Sequence, residues 1–592
     1  VGGYDVKGYH LANTLIHAVA ALALFGLMRR TLLRPAMREK FGVAALPLAF
    51  AVALLWALHP LQTESVTFVI QRSESLMGMF YLLTLYGFIR AVESASPRRW
   101  QIFTVIVCFL GMATKEVMVS APVLVLLYDR TFVAGNFRRA WQQRRTFYLS
   151  LAATWVLLAY TVIAAGQRGG AAGFGRGVSS WDYALTQCHA IILYLRLAFW
   201  PSPLVVDYGT TIVRRFGEVW WQALLLIGLV AGTCFALVRR PAVGFAGFWF
   251  FAILAPSSSV VPLITQTMAE HRMYLSLAAV IGLVVLGGYR WLGRGSLPVW
   301  LGLAVVAGIF TVRRNQDYQS NVRLWTVTVA EQPGNPRAQS SLGCALAIEG
   351  RNAEAEQHLA EAVRLKPDYA EPQFNWGNFL FRQYRPAEAL APLEAAVRLR
   401  PPYFEAHFVL AGVLVQLGRV DEGLAHFETV LKMRPDYVEA RQTMAETLAK
   451  AGRTGEALEN FEMALRLRPN SAMLQSEVGD SLGRLGRVEE AVGYLAAAVR
   501  LDPAAVVARY NLGNALFALH RFPEAAEQYA MVVRLHPEFV EAHNNLANTL
   551  GQLGRLEEAQ AEYEAALRLK PDFAPARNNL NRLLERKAAG SR

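Results

Sequence analysis

The chain has 592 residues, 54% of them hydrophobic, and a formal net charge of +13 at pH 7. A single domain is not expected at this length, and the composition lies between those of a soluble and a fully membrane-embedded protein. Basic residues of membrane proteins gather in cytoplasmic loops, and the sequence contains no nucleic-acid-binding motif, so we expect no nucleic-acid partner.

Residues 1–312 contain nearly all of the long apolar runs. Because a helix needs about 20 mostly apolar residues to cross a bilayer, these runs predict an all-α bundle of about ten spans. The predicted spans are residues 9–28, 43–61, 75–92, 100–114, 117–128, 147–166, 219–238, 243–262, 273–292 and 297–313. A further apolar segment, 184–200, ends at Trp200, and we interpret it as re-entrant or lying on the membrane surface.

Arginine clusters predict the orientation of the spans. Arg29 and Arg30 follow the first span, and similar clusters follow the third, seventh and ninth spans. The positive-inside rule places these clusters in the cytoplasm, so the last span exits on the opposite side. The carboxyl-terminal half is then expected in the periplasm or, in a eukaryote, in the lumen of the endoplasmic reticulum. Arg313 and Arg314 at that exit run against the rule.

Polar side chains recur in the segments that this orientation places at the outer ends of the spans. Three of them are cations and four are carboxylates, and guanidinium and ammonium groups bind phosphate at the depth of lipid headgroups. The set therefore predicts an anion pocket; the alternative is a group of helix-end salt bridges and snorkelling side chains. The candidates are His59, Glu64, Arg72, Lys115, Glu116, Asp207, Glu270 and Arg272.

The carboxyl-terminal half repeats every 34 residues. Prolines occur at this spacing from Pro367 to Pro571, in phase with ladders of small residues. This is the period of the tetratricopeptide repeat (TPR), a helix–turn–helix unit that buries its apolar face by stacking on its neighbours. The predicted domains are a membrane part at 1–314, a linker at 315–335, seven TPR units at 336–571 and a capping helix with a tail at 572–592.

The unit that ends at Pro537 illustrates the expected packing. Gly513 is predicted to allow close approach of the second helix, on which Ala525 and Tyr529 face inward. His520 occupies the turn, where glycine is usual because it accepts a positive φ.

Such arrays bind partners, usually peptides, on their concave face. Four asparagines share one position in their units, an arrangement that resembles the asparagine ladder with which TPR glycosyltransferases hold peptide backbone. The alternative is polar filling of a solvated groove. The candidate peptide-binding residues are Asn375, Asn511, Asn545 and Asn579.

No metal site is predicted. The four cysteines have no metal-binding spacing, and we expect them to fill apolar space. His10 and His17 lie seven residues apart on one helix face, where hydrogen bonding between helices is the favoured interpretation.

The order of the outer motifs resembles the transmembrane-and-TPR O-mannosyltransferases. In this chain the motifs run from His-Pro-x-x-Thr-Glu, which begins at His59, to Ala-Glu-x-Arg-x-Tyr-Leu, which begins at Ala269, and the repeats follow them. The resemblance implies a type C membrane glycosyltransferase fold and an isoprenyl-phosphate-linked mannose donor. It also implies catalytic acids in the family's first outer loop. We expect that loop, with one more span, to lie upstream of Val1, so none of the present residues is assigned as catalytic.

We therefore predict a membrane glycosyltransferase that moves a sugar, mannose by resemblance, from a polyprenyl or dolichyl phosphate to serine or threonine hydroxyls of acceptor proteins bound by the repeats. No tightly bound cofactor is predicted, and a divalent metal stays an open question. One alternative is a non-catalytic, membrane-anchored scaffold for protein–protein interaction, for which ten spans exceed what an anchor needs. Another alternative is a transporter or ligase of lipid-linked glycans. Charged residues deep within the spans would favour this alternative.

Overall fold

The computed structural model describes residues 6–68, 71–166, 178–209, 212–258 and 267–590. Helices make up all regular secondary structure within these ranges, which confirms the all-α prediction. The chain divides into two compact units, Val1–Lys366 and Pro367–Arg592.

The first unit is a bundle of apolar helices followed by the first helices of the repeat region. Its helix α1 packs on α3 and α5, and α13 packs on α3 and α12. Trp56, Tyr81 and Tyr274 are fully buried in its core. The helices are α1 (Val6–Leu32), α2 (Pro35–Phe41), α3 (Ala45–Leu58), α4 (Thr63–Thr67), α5 (Arg72–Glu93), α6 (Pro97–Met112), α7 (Ala121–Phe132), α8 (Phe137–Ala153), α9 (Trp155–Gly166), α10 (Ser180–Phe199), α11 (Trp220–Arg239), α12 (Pro241–Leu254), α13 (Met273–Leu292), α14 (Ser296–Asp317), α15 (Asn321–Glu331), α16 (Pro336–Ile348) and α17 (Asn352–Leu365).

Five segments of the described chain are long and apolar enough to cross a membrane. The last of them contains both α13 and α14, whereas the other predicted spans form helices shorter than 18 residues. The chain is thus an integral membrane protein by composition, and the number of ten spans stays a prediction. The segments are Gly8–Leu32, Pro35–Leu58, Arg72–Glu93, Trp220–Arg239 and Glu270–Asp317.

The predicted span 147–166 is not one continuous helix. It is shared between α8 and α9, which meet at Thr154. The Thr154 hydroxyl donates a hydrogen bond of 2.6 Å to the Leu151 carbonyl, and its backbone N–H donates to the same oxygen at 3.1 Å. Such local side-chain hydrogen bonds compete with the backbone hydrogen bonds of the helix. This competition explains why the helix is interrupted at Thr154.

The α11–α12 hairpin depends on a glycine at its contact. A Cβ atom at Gly244 would lie 2.3 Å from the Leu237 backbone nitrogen and 2.5 Å from its Cα. Both atoms belong to the backbone, so a change of side-chain rotamer cannot relieve the clash. We expect Gly244→Ala to lower the free energy of unfolding by about 1–3 kcal/mol or more, the usual cost of overpacking. Thermal unfolding of the detergent-solubilised protein would measure the loss.

Gly228→Ala in α11 is the matched control, because beyond the neighbouring residues and backbone of its own helix no described atom lies within 4 Å of the added Cβ. Alanine is the better helix former, so this control should not destabilise the protein. An equal melting temperature for the two variants would contradict the packing described for the hairpin.

The predicted linker at 315–335 is largely helical, and this part of the domain prediction needs correction. Helix α14 continues to Asp317, and α15 buries Val322, Leu324 and Thr328. Helix α15 packs on α16 as the second helix of a repeat would. Pro333 lies 34 residues before Pro367, so the proline ladder starts one step earlier than predicted.

The helix pairs from α16 onward follow the predicted 34-residue units, and α30 forms the predicted carboxyl-terminal helix. The helices of the second unit are α18 (Ala370–Arg382), α19 (Pro386–Leu399), α20 (Phe404–Gln416), α21 (Val420–Met433), α22 (Val438–Lys450), α23 (Thr454–Leu467), α24 (Ala472–Arg484), α25 (Val488–Leu501), α26 (Val506–Ala518), α27 (Phe522–Leu535), α28 (Val540–Gln552), α29 (Leu556–Leu569) and α30 (Ala574–Gly590).

The packing expected for the unit ending at Pro537 is present. A Cβ at Gly513 would lie 2.7 Å from Cε1 of Tyr529, so the close approach requires glycine. His520 adopts a φ of 59° in the turn, the left-handed conformation that glycine usually supplies.

A second regularity was not predicted. The fourth residue of the first helix binds the carbonyl oxygen of the proline six residues earlier, for example Gln373 to Pro367 at 2.9 Å and His407 to Pro401 at 3.0 Å. These bonds satisfy a carbonyl group that lies between two helices, where the backbone has no helical partner.

Candidate functional site

The predicted outer residues lie in turns that the fold brings to the same end of several helices. The turn after α3 contacts the turn before α13, and the end of α14 contacts α4. We call this region the polar edge and define it as residues 59–67, 71–75, 115–120, 200–209, 267–272 and 313–318.

Glu64 joins two turns of the polar edge. Its side chain is buried, and Oε2 accepts a hydrogen bond from the His271 backbone nitrogen at 2.9 Å. Oε1 lies 2.8 Å from Nδ1 of the same histidine. His271 thus has a defined partner, and Glu64 holds the turn before α13 in place.

Glu270 anchors the loop after α10. Its fully buried Oε1 accepts hydrogen bonds from the Val205 N–H at 2.6 Å and from the Tyr208 hydroxyl at 2.9 Å. Burial and the adjacent carboxylate raise the pKa of Tyr208, so this hydroxyl keeps its proton and donates.

Arg314 faces Glu270 from the end of α14. Its Nη2 lies 3.8 Å from Oε2 of Glu270, and its guanidinium is 5% exposed. The exception to the positive-inside rule at Arg314 therefore has a local explanation, since the cation is buried against a carboxylate. The sequence pattern marked Arg314 only as an anomaly, and it was not among the predicted site residues.

Asp207 binds the start of α16. Its Oδ1 accepts a bond from the Gly209 N–H at 2.7 Å, and its Oδ2 accepts from Nη1 of Arg337 at 3.1 Å. The Asn335 side chain donates to the Asp207 backbone carbonyl at 3.2 Å. Asn335 also caps α16. Helix-start signals could have identified this capping role, but not the contact with Asp207.

We expect Arg337→Met to lower the free energy of unfolding by about 1–2 kcal/mol. The reason is that hydrogen bonds to charged groups contribute more than neutral ones, and the partner Asp207 is 3% exposed. Solvent at the partly exposed arginine screens some of the interaction. Thermal unfolding of the detergent-solubilised protein would test this. Arg351→Met is the control, because it removes an exposed arginine in the turn between α16 and α17. We expect no measurable change in the stability of this control. Equal losses of stability in the two variants would refute the anchoring role of Arg337.

The three predicted cations occupy different surroundings. Lys115 forms an ion pair with Glu74, a buried residue outside the predicted set. Arg272 donates from Nη1 to the Thr267 carbonyl at 3.0 Å. Both cations therefore already have protein partners at the polar edge.

Arg72 is held on one side only. Its Nε donates to Oδ1 of Asn13 at 2.9 Å, and its guanidinium lies 4.7 Å from the centre of the Tyr9 ring. Its Nη2 is buried and makes no hydrogen bond with the described residues. Among the three cations, Arg72 thus has the clearest donor left for an anion.

His59 and Glu116 differ from the other candidates. His59 accepts a bond from the Leu61 N–H at Nδ1, and its Nε2 lies 3.2 Å from the Ala198 carbonyl, so the ring is neutral and links α3 to α10. Glu116 is exposed at the start of a short turn. The described residues contain no cluster of three potential metal ligands. The expectation of catalytic acids upstream of Val1 lies outside the described residues.

The asparagine ladder links neighbouring repeats. Asn545 donates to the Tyr510 hydroxyl at 3.0 Å and to Asn514 at 3.1 Å, and Asn511 donates to Asp480 at 3.2 Å.

The next ladder position behaves in the same way: Asn579 donates to Asn544 and Asn548. An amide has two N–H donors, and both are used in Asn545 and Asn579. Asn375 lies at the same position and also has an interaction partner. Peptide binding by this ladder stays a prediction, and it would require the donors of Asn545 and Asn579 to change partners.

Comparisons with known proteins found repeat-family models, curated relatives and solved structures that are similar to parts of this chain. The family described as tetratricopeptide repeat matches residues 313–370, 443–506, 510–574 and 544–587 with one model and 403–470 with another.

Among curated proteins, Protein O-mannosyl-transferase Tmtc3 of Drosophila melanogaster is 25% identical over 443 residues, which cover 62% of this chain and 47% of the relative. Protein O-mannosyl-transferase TMTC4 of Mus musculus is 23% identical, with 60% and 54% covered. The chain spans about half the length of these curated relatives.

Among solved structures, the TPR protein YrrB, titled as having an unusual peptide-binding site, is similar at 23% identity and a TM-score of 0.29, with 32% of this chain and 96% of that chain covered. Taken together, the apolar helices and the repeats describe a membrane protein with a TPR array that is similar to protein O-mannosyl-transferases over about 60% of its length.

Proposed function

We propose that the chain takes part in the transfer of a sugar, mannose by similarity, from an isoprenyl-phosphate carrier to serine or threonine hydroxyls of proteins. The observation that carries the proposal is Arg72, whose Nη2 has no hydrogen-bond partner among the described residues. Sequence similarity to protein O-mannosyl-transferases supports the reaction class. A lipid-linked donor is consistent with a cation at the membrane edge, where headgroup phosphates lie.

In this proposal Arg72 binds the lipid phosphate, first in the donor and then as the leaving group. Cleavage of the bond between the anomeric carbon and the phosphate oxygen leaves additional negative charge on the phosphate. A guanidinium already fixed by Asn13 and Tyr9 stabilises that charge without reorganisation. Lys115 and Arg272 contribute positive potential from the same edge.

The carboxylates have positioning roles in this proposal. Glu64 orients the turn before α13, Glu74 holds Lys115, Glu270 holds the loop after α10, and Asp207 binds α16. Since each of these buried carboxylates already accepts bonds from the protein, we assign none of them as the base that removes the proton of the acceptor hydroxyl.

The TPR array presents the acceptor protein in this proposal, on the outer or lumenal side of the membrane. The repeat matches support a protein partner.

Transfer of radiolabelled mannose from a polyprenyl-phosphate donor to protein would test the function. Membranes that contain the full-length protein should label acceptor protein, and membranes without it should not. Parallel reactions with glucose-loaded carrier and with a nucleotide sugar would define the donor. If the folded protein transfers no sugar from any lipid-linked donor, the proposal fails and the scaffold alternative is favoured.

A further inference from the structure

A cavity of about 410 Å³ lies at the end of α14 in the first unit. Pro60, Pro201, Pro203 and Phe310 contribute its apolar wall. Arg313, Arg314 and Arg323 also line the cavity, together with Asp317 and Glu331. We call this cavity the α14–α15 pocket. None of the cations assigned to the sugar donor lines it.

Arg314 lines the pocket and has two buried nitrogens without a hydrogen bond among the described residues. Its Nη1 donates to Asp317 at 3.4 Å, but its buried Nε and Nη2 make no hydrogen bond with the described residues. These two nitrogens form one edge of the guanidinium, the geometry that binds two oxygens of a phosphate side by side. Glu270 is 3.8 Å from Nη2, beyond hydrogen-bond distance. An acceptor group that reached this edge of the guanidinium would satisfy both donors.

The charges that surround the pocket are of both signs. Arg313 is exposed and forms no ion pair with the described residues, while Arg323 lies 3.4 Å from Asp317. Glu331 is exposed at the end of α15. Three arginines and two carboxylates thus line the pocket, and Glu270 lies 3.8 Å from Nη2 of Arg314. This balance suits a phosphate that is part of a larger headgroup better than a highly charged free anion.

The apolar surface next to the pocket indicates where that headgroup comes from. Phe199 and Trp200 precede the proline-rich wall and are 65% and 70% exposed, and Phe310 of α14 is 43% exposed. Exposed aromatic residues at the ends of apolar helices are typical of the membrane–water boundary. Acyl chains can lie along this surface while a phosphate enters the pocket.

We propose that the α14–α15 pocket binds the phosphate of a membrane phospholipid through Arg313, Arg314 and Arg323. The lipid also accounts for Arg313, the second cation at this helix end that runs against the positive-inside rule. Because the site is separate from Arg72, the inference does not depend on sugar transfer.

Native mass spectrometry of the detergent-solubilised protein, titrated with phosphatidylethanolamine or phosphatidylglycerol, tests the proposal. The Arg313→Gln/Arg323→Gln variant changes two exposed or half-exposed side chains and leaves the buried Arg314 in place. We expect its affinity for the first bound lipid to fall about tenfold or more, since charge-assisted hydrogen bonds to phosphate are lost. The Arg313→Lys variant should retain most of the affinity, because it keeps the charge.

Arg215→Gln and Arg294→Gln are matched controls, each removing one exposed arginine away from the pocket. They should bind the first lipid as the unmodified protein does. Equal affinity in the double variant, or an equal loss in the controls, would overturn the proposal. A third titration adds millimolar inorganic phosphate. Displacement of the lipid at that concentration would overturn the lipid as the occupant and assign the pocket to free phosphate. Retention of the lipid would support the proposal.

Discussion

Replacing Arg72 by alanine is expected to lower the rate of sugar transfer by about 10²–10³-fold, the usual cost of removing one preorganised donor to a charge that develops in the reaction. The guanidinium is fixed through Nε by Asn13 and lies over Tyr9, so its remaining donors are held in one orientation. The rate of mannose transfer from the polyprenyl-phosphate donor is the measurement.

Two further variants separate a phosphate contact from a structural role. Arg72→Lys should recover part of the rate, because a lysine supplies charge without the planar fork of donors. Arg98→Ala removes an exposed arginine at the start of α6 and should leave the rate unchanged. If Arg72→Ala transfers at the normal rate, Arg72 does not bind the leaving phosphate.

The second large effect concerns the Glu270–Arg314 pair. We expect Arg314→Met to lower the free energy of unfolding by about 3–5 kcal/mol, because removing one partner of a buried pair leaves the other charge uncompensated. The carboxylate of Glu270 is fully buried and would then face a methionine. Chemical unfolding in detergent, followed by tryptophan fluorescence, would measure the loss.

The double variant Glu270→Gln/Arg314→Met provides the decisive comparison. Glutamine can still accept bonds from Val205 and Tyr208 through its carbonyl oxygen, and no unpaired charge remains between positions 270 and 314. The double variant should therefore be more stable than Arg314→Met alone. Glu116→Gln, at an exposed carboxylate, should change little. Additive losses in the double variant would show that the two groups are not coupled.

Much of the repeat region was predictable because its determinants are local. The 34-residue period, the close contact at Gly513 and the turn at His520 all depend on residues within one helix pair. The missed step at Pro333 was also present in the period. The stretch before it lacks the full pattern of small residues that marks the later units.

At the candidate site, local sequence was enough to predict which residue types occur at the polar edge and on which turns, because charged residues are excluded from the apolar spans on either side. Their partners, in contrast, depend on the tertiary structure. Glu64 meets His271 across 207 residues, and Asp207 meets Arg337 across 130. Such pairs depend on how helices pack, and no local spacing encodes that packing. For the same reason Arg314, an anomaly in the orientation pattern, became a buried partner of Glu270 only in the folded chain.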